Sequence, residues 1–330
     1  MTSTATGGSV AKPKILLTRV MPEPVEARLA ANYDLAISPH DRPLARGELR
    51  DAMVAYDAIC PNPSERFDAH VFAAPGLRSR IVANYGVGFE HIDLAAARRA
   101  GVAVTNTPAA VTEPTADLAI LLMLMVTRRA AEGERELRAG RWTGLKPGHM
   151  LGRSLSGKLL GLVGFGRIAQ ATAARARAFG LRIGYFSRTR ATPQVEQAFG
   201  ADYYSSLDAL AAEADILSLH CPGGPETHHM IDARRLALMK PGAVLINTAR
   251  GPVVDEAALA AALARGLISA GLDVYEQEPV VTPELISLDN VVLLPHQGSA
   301  TLEARISMGL EMADNLDAFF AGGAPPNRVA

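Results

Sequence analysis

Cysteine is scarce: Cys60 and Cys221 are the only two in 330 residues. That excludes a disulfide framework and the paired spacings of a cysteine metal site, and it fits a reducing, cytoplasmic setting. Charge of one sign is scarce as well. The 33 Lys and Arg are matched by 34 Asp and Glu, so there is no basic excess with which to displace counterions from nucleic acid. Long apolar runs are missing. The longest, ADLAILLMLMV over 116–126, is too short to span a bilayer and reads as a buried helix. The opening MTSTATGGSVAKP has no apolar core ahead of a cleavage site, which argues against a signal peptide and for a loose lead-in. Low-complexity tracts and short-period repeats are absent too.

What remains is an ordinary globular composition, 48% apolar and 20% charged, on a chain long enough for two domains. From Lys14 onward short β-like runs alternate with helical patterns: KILLTRV, DLAIS, DAICP, SRIVANYG and VAVTNT give about five strands. A helical pattern then runs from about Glu113 to Ala139, with Thr112 as N-cap and Gly140 as stop. After a Gly/Pro-marked loop, LLGLVGFG, LRIGYFS, ILSLHCP, AVLINTA, SAGLDVY and NVVLLPH read as six more strands, the count of a complete dinucleotide-binding sheet. A last helix is expected over Thr301–Phe320. The fold class is α/β, two Rossmann-like units with parallel sheets covered by helices.

The second unit opens with GLVGFGRIAQ (161–170), which places Gly164, Phe165, Gly166, Arg167, Ile168 and Ala169 between a strand and a helix. In that context Gly164 permits the tight turn, Gly166 lets a pyrophosphate approach, and Ala169 keeps the helix near the sheet. A bare strand–helix turn is the plainer alternative. About twenty residues on, YFSRTR (185–190) has Ser187, Arg188 and Thr189 where a ribose-binding acid belongs. Serine does not repel a 2′-phosphate, and Arg188 and Arg190 are able to bind one, so NADP(H) is expected over NAD(H). Two solvated loop arginines are the plainer reading of that pair.

Three segments at expected strand ends carry reactive side chains: NTARG (247–251), DVYEQEP (273–279) and LPHQGS (294–299). Ligands bind at such ends in open α/β sheets. An arginine, a carboxylate and a histidine suffice to reduce a 2-oxoacid. The arginine holds the substrate carboxylate and polarises the carbonyl. The histidine delivers a proton, and the carboxylate orients it.

These segments, with NYGVGFEHID (84–93), TNTP (105–108), TEPTADLAI (112–120), HCP and ETHHMI (220–231), INTARG, GLDVYEQEP and PHQGSAT (295–301), resemble the D-2-hydroxyacid dehydrogenase family, on its glyoxylate/hydroxypyruvate reductase branch. The resemblance runs from Lys14 to about Phe320. It implies Arg250 as the carboxylate anchor, His296 as acid/base and Glu278, from the Glu278–Pro279 dipeptide, as the histidine's partner. Val87 and Gly88 would offer backbone N–H groups to the substrate. Asp273, with Thr248 and Ala249, would hold the nicotinamide carboxamide. Pro222, Thr227, His296 and Gly298 would line the cofactor cleft. Gln297, where an apolar residue is expected, and Ala169, in place of a third glycine, depart from the pattern.

The resemblance also implies a dinucleotide-binding domain, 108–296, inserted into a substrate domain of 1–107 and 297–330, with long helices near 112–139 and 300–320 as connectors. It implies a homodimer, with the apolar helix either contributing to the interface or buried in its own core. The expected activity is NADPH-preferring reduction of small 2-oxoacids, glyoxylate and hydroxypyruvate. The alternatives are another D-2-hydroxyacid dehydrogenase, such as one acting on 3-phosphoglycerate, and a dinucleotide-sensing corepressor-like protein.

Overall fold

A computed structural model describes residues 11–330; the first ten residues of the expected N-terminal lead-in lie outside them. The chain divides into two compact units, one running to Ala110 and including Thr301–Ala330, the other Val111–Ala300.

The first unit contains β1 (Lys14–Leu17), α1 (Glu23–Asn32), β2 (Asp34–Ile37), α2 (Arg46–Ala55), β3 (Ala58–Cys60), α3 (Ala69–Phe72), β4 (Ile81–Ala83), α4 (Leu94–Arg99) and β5 (Ala103–Thr105). The five expected strands form one parallel sheet in the order β2-β1-β3-β4-β5. β3, β4 and β5 are buried throughout, as short apolar strands must be when helices cover both faces of a parallel sheet.

The second unit begins with α5 (Thr112–Thr127) and α6 (Ala130–Arg138). It continues with β6 (Leu159–Val163), α7 (Arg167–Ala178), β7 (Arg182–Phe186), α8 (Pro193–Phe199), β8 (Ala201–Tyr203), α9 (Leu207–Glu213), β9 (Ile216–Leu219), α10 (Ala233–Leu238), β10 (Val244–Asn247), α11 (Glu256–Ala264), β11 (Ser269–Leu272), α12 (Pro283–Ile286) and β12 (Val291–Leu293). Its parallel sheet has seven strands, β12-β11-β10-β9-β6-β7-β8. Along β10, Leu245 belongs to the core on one face, while Val244 and Ile246 belong to the core on the other, the two-residue period of a strand buried on both sides.

Two expectations are corrected. The sheet has a seventh strand, because Ala201–Tyr203 pairs along β7 at the edge directly after Gly200 ends α8. Three residues, one of them Asp202, are too short and too polar to register as a strand pattern. The helix expected over 113–139 is two helices. Arg153 N–H bonds the Thr127 carbonyl at 2.8 Å, so that carbonyl is withdrawn from the helical ladder, and Arg129 turns left-handed (φ 54°). Gly140 (φ 66°) follows the end of α6 as expected, whereas α5 begins at Thr112 after an uncapped Val111.

The apolar run of α5 is spent inside its own unit: Ala119, Ile120, Leu122 and Met123 are buried against β6, β10 and α7 residues. The final helix, α13, runs over Leu302–Phe320 close to its expected span, is capped by the Thr301 side chain, and packs in the first unit on α1 and β4. There Tyr33 Oη donates to Asp317 at 2.6 Å, and Arg28 pairs with the same carboxylate. Among the described residues no helix is long and apolar enough to cross a membrane.

Candidate active site

In the second unit, β10, β11 and β12 end side by side in register, so the loops that follow them emerge at one edge of the sheet. These are the segments with Arg250, Glu278 and His296. Imidazole Nδ1 of His296 lies 2.6 Å from Glu278 Oε2, and Oε1 of the same carboxylate accepts the Tyr275 N–H at 3.0 Å. An ionised carboxylate only accepts, so Nδ1 carries the hydrogen and Nε2 is left to exchange a proton. Burial raises the Glu278 carboxyl, but the His296 contact, the Tyr275 N–H and the Arg250 charge together hold it below its ordinary value. Glu276, the other carboxylate of this loop, bonds His229 at 2.8 Å instead.

His296 itself has a left-handed backbone (φ 50°), a conformation that costs a non-glycine residue about 1–2 kcal/mol. Asp273 makes that turn tenable. It is fully buried at the end of β11. Its carbonyl accepts the His296 N–H at 2.9 Å, and its carboxylate accepts the N–H groups of Gln297 (2.7 Å) and Gly298 (2.8 Å). Burial drives the Asp273 carboxyl up to about 6, against the pull of those N–H groups and of His296.

Arg250 leaves β10 through a turn built by Asn247, whose side chain accepts from Ala249 N–H (3.0 Å) and donates to the Arg250 carbonyl (3.0 Å). Its Nη1 donates to the Ala249 carbonyl at 2.7 Å. The next residue has no room for a side chain: a Cβ on Gly251 would overlap the Tyr275 carbonyl. That close approach seats the Arg250 turn on the loop that carries Glu278.

The glycine turn lies between β6 and α7. Gly164 has φ 90°, and a Cβ there would lie 2.9 Å from the His220 carbonyl, so glycine is required. Gly166 faces open space. It precedes α7 without a side-chain cap, and the first turn of that helix holds no acid. Phe165 is buried and stacked on Tyr185 at 4.2 Å, leaving its backbone for any ligand, while Ala169 is fully buried beneath the turn. After β7, Ser187 Oγ donates to the Thr189 carbonyl at 2.5 Å, Arg188 pairs with Glu226, and Arg190 is held by both oxygens of Glu196 at 2.8 Å. Thr227 Oγ1 donates to Pro222 O at 2.9 Å.

These residues fit a nicotinamide dinucleotide. Exposed first-turn N–H groups at α7 are an anion site, the space at Gly166 admits a phosphate, and the buried Thr248 hydroxyl lacks a hydrogen-bond partner among the described residues. Arg167, Ile168 and Gly166 would take the pyrophosphate, with Thr248, Ala249 and Asp273 nearer the end of β10.

In the first unit, the Val87–Gly88 turn follows β4. Asn84 Nδ2 donates to the carbonyls of Gly86 (3.0 Å) and Gly88 (2.8 Å), Asn106 Nδ2 donates to Val87 O (2.9 Å), and His91 Nε2 meets Asn84 Oδ1 at 3.1 Å. With its carbonyls tied back, the turn has its N–H groups to offer. Sequence reasoning missed Asn84, Asn106 and Asn247; an Asn shortly before a glycine-bearing turn was the available signal for Asn84 and Asn247, and Asn106, in TNTP, carried no such mark.

Comparison with known proteins accords with this geometry. Residues 120–298 match the family model described as D-isomer specific 2-hydroxyacid dehydrogenase, NAD binding domain. A glyoxylate reductase of Thermococcus litoralis is 45% identical over 324 residues, 96% of this chain and 97% of that protein; one from Thermococcus onnurineus is 47% identical over 96% of each. Among solved structures, a D-isomer specific 2-hydroxyacid dehydrogenase from Polaromonas superposes with TM-score 0.91 at 37% identity, over 97% of this chain and all of that one. The NADPH-dependent glyoxylate/hydroxypyruvate reductase of Sinorhizobium meliloti, solved with NADP and malonate, gives TM-score 0.85 at 37% identity over 97% of each chain. This chain therefore belongs to the D-isomer specific 2-hydroxyacid dehydrogenases and is an NAD(P)-dependent dehydrogenase.

Proposed function

We propose that the protein is an NADPH-preferring reductase of small 2-oxoacids, glyoxylate and hydroxypyruvate, yielding D-2-hydroxyacids. The observation that carries this reading is the 2.6 Å His296–Glu278 pair set in loops adjoining the Arg250 turn. The names of the relatives support the substrate class.

When bound, the reduced nicotinamide supplies the hydride. The chain does the rest. Arg250 binds the 2-oxoacid carboxylate and draws charge onto the carbonyl oxygen. In the first unit, the Val87–Gly88 turn has the backbone N–H groups expected of a substrate-binding turn. His296 donates the Nε2 proton to that oxygen, and Glu278 stabilises the charged imidazole that enters the reaction. Asp273, Thr248 and Ala249 orient the carboxamide of the cofactor, and Pro222, Thr227 and Gly298 line its cleft. Ser187 leaves room for a 2′-phosphate, which Arg188 binds after exchanging Glu226 for it. Residues 108–296 serve as the dinucleotide-binding domain, and 1–107 with 297–330 as the substrate domain. The protein acts as a homodimer, a reading supported by the exposed Trp142, Leu145 and Leu151; its mass in solution tests that. The test of function is a panel of glyoxylate, hydroxypyruvate, pyruvate and phenylpyruvate with NADPH and NADH. Turnover of none would end the proposal.

A further inference from the structure

The loop between β9 and α10 carries two adjacent histidines that have no part in the chemistry above. In helices and strands consecutive side chains diverge, yet His228 and His229 are stacked, ring centres 3.9 Å apart and planes inclined by 27°. His229 has a left-handed backbone (φ 48°), and the segment around it is anchored to the loop after β10. His229 N–H donates to Pro252 O at 2.8 Å, and Ile231 N–H donates to Val253 O at 2.9 Å. Both rings therefore stand on the same side of a fixed turn. Opposite them is Glu276, with Oε1 at 2.8 Å from His229 Nε2. A ring nitrogen of each histidine and a carboxylate oxygen of Glu276 all lie within 4.8 Å of one another, and no other three such groups of the described residues come together in this way.

Glu276 is positioned from behind by a second carboxylate. Its N–H donates to Glu256 Oε2 at 2.7 Å, and its Oε2 accepts the Glu256 N–H at 3.3 Å. Glu256 is itself buried at the start of α11, where its Oε1 accepts the Thr282 N–H at 3.1 Å. Oε1 of Glu276 is thereby presented to the histidines. His228 is exposed, and His229 and Glu276 are partly so, which leaves the group open to an ion from solvent. The other histidine–carboxylate pairs, His296–Glu278 and His149–Glu136, bring only two ligands each.

We propose that His228, His229 and Glu276 form a binding site for a divalent transition-metal ion of the Zn²⁺ class. Two imidazoles and one carboxylate are a zinc donor set, with water completing the tetrahedron, whereas Mg²⁺ and Ca²⁺ take oxygen ligands. Tetrahedral zinc sets its ligand atoms about 3.4 Å apart. The ion takes the place of the hydrogen shared by His229 and Glu276, these two move apart by about 0.5 Å, and the exposed His228 ring turns in to meet it. Bound there, the ion clips the histidine turn to the loop that carries Glu278, two residues beyond Glu276. The site stands or falls separately from the redox reading, because metal binding is measured without turnover.

The test is calorimetric titration of the untagged, chelator-treated full-length protein with Zn²⁺. Wild type takes up one equivalent. His228→Ala and Glu276→Gln each bind at least about tenfold more weakly, since even loss of a group that only supports a metal ligand costs that much. His296→Asn binds as wild type does. Zinc also raises the melting temperature of wild type, increasingly with its concentration, and leaves that of His228→Ala where it was. Wild type that takes up no zinc overturns the site, as does His228→Ala that binds it unchanged, or loss of binding in His296→Asn, which would put the ion at the catalytic pair. Zinc-soaked crystals give a reading that needs no variant: an anomalous peak between His228, His229 and Glu276 supports the site, and peaks only elsewhere overturn it.

Discussion

Nδ1 of His296 and Oε2 of Glu278 stand 2.6 Å apart across two loops that are 18 residues apart in sequence. The carboxylate reaches its place because its other oxygen is fastened to Tyr275 N–H, so the imidazole is oriented by a group that is itself oriented. Replacing His296 with Asn should lower kcat/KM by about 10²–10⁴, the usual worth of a positioned acid. Glu278→Gln, which keeps the shape and loses the charge, should cost roughly ten- to a hundredfold. Cofactor affinity by fluorescence titration should stay within about twofold in Glu278→Gln, since general acid catalysis acts on the proton transfer and Glu278 has no role in cofactor binding. Steady-state kinetics that leave either variant at the wild-type rate would remove these roles.

Arg250→Ala should depress kcat/KM by about 10²–10³, the range for losing one charge-stabilising donor, with cofactor binding intact. Gly251→Ala should do more damage. Its methyl would collide with the Tyr275 carbonyl, so the Arg250 turn and the Glu278 loop must separate, at a cost of about 3 kcal/mol or more. A thermal melt that matches wild type would show that the two loops part without penalty.

The cofactor preference should rest on Arg188 alone. Arg190 is clamped by Glu196, which in turn accepts the Tyr185 hydroxyl at 2.6 Å, whereas the Arg188–Glu226 pair is exposed at both ends. Exposed pairs contribute about 0–1 kcal/mol, so the proposed 2′-phosphate would displace Glu226 at little cost. Arg188→Asp should weaken NADPH by about ten- to a hundredfold with little change for NADH. Glu226→Gln should leave NADPH as tight or up to about fivefold tighter. Equal losses for both cofactors in Arg188→Asp would place the phosphate elsewhere.

Two carboxylates should act on stability with opposite signs as pH changes. Glu278 lies below its ordinary value, so its contribution is present above the unfolded value, about 4.3, and is lost as pH falls through the lower folded value. Asp273 sits at about 6. The unfolded chain therefore ionises first, and stability falls as pH rises from about 4 to about 6, then levels. Asp273→Asn should flatten that fall. Urea unfolding at intervals between about pH 4 and 6.5 checks it, and an unchanged slope in the variant would assign the pH dependence to other groups.

Much of this was legible along the chain because it is local. Parallel strands buried on both faces announce themselves as apolar runs, and Gly164 and Gly166 mark a turn whose steric demand no other residue meets. Glu278 was separable from Glu276 only through the Glu278–Pro279 dipeptide of a resembling family. The break at Arg128–Arg129 escaped notice because Ala, Glu, Arg and Leu favour a helix on either side of it, and the interruption comes from Arg153, which lies well beyond Thr127 in sequence. Ala201–Tyr203 went unseen because an edge strand takes its structure from the ladder it joins.

The sequence by itself determined the alternation of strands and helices, the glycine turn and the residue types available for chemistry, since each follows from nearest-neighbour sterics and periodic burial. Only the tertiary structure decided which acid meets which base. Glu278 faces His296, Glu276 faces His229, and Glu196 claims Arg190, because such pairings depend on where separate loops end up in space. Hydrogen bonds and ion pairs act over about 3–4 Å, and strand order alone brings side chains from distant segments within that range.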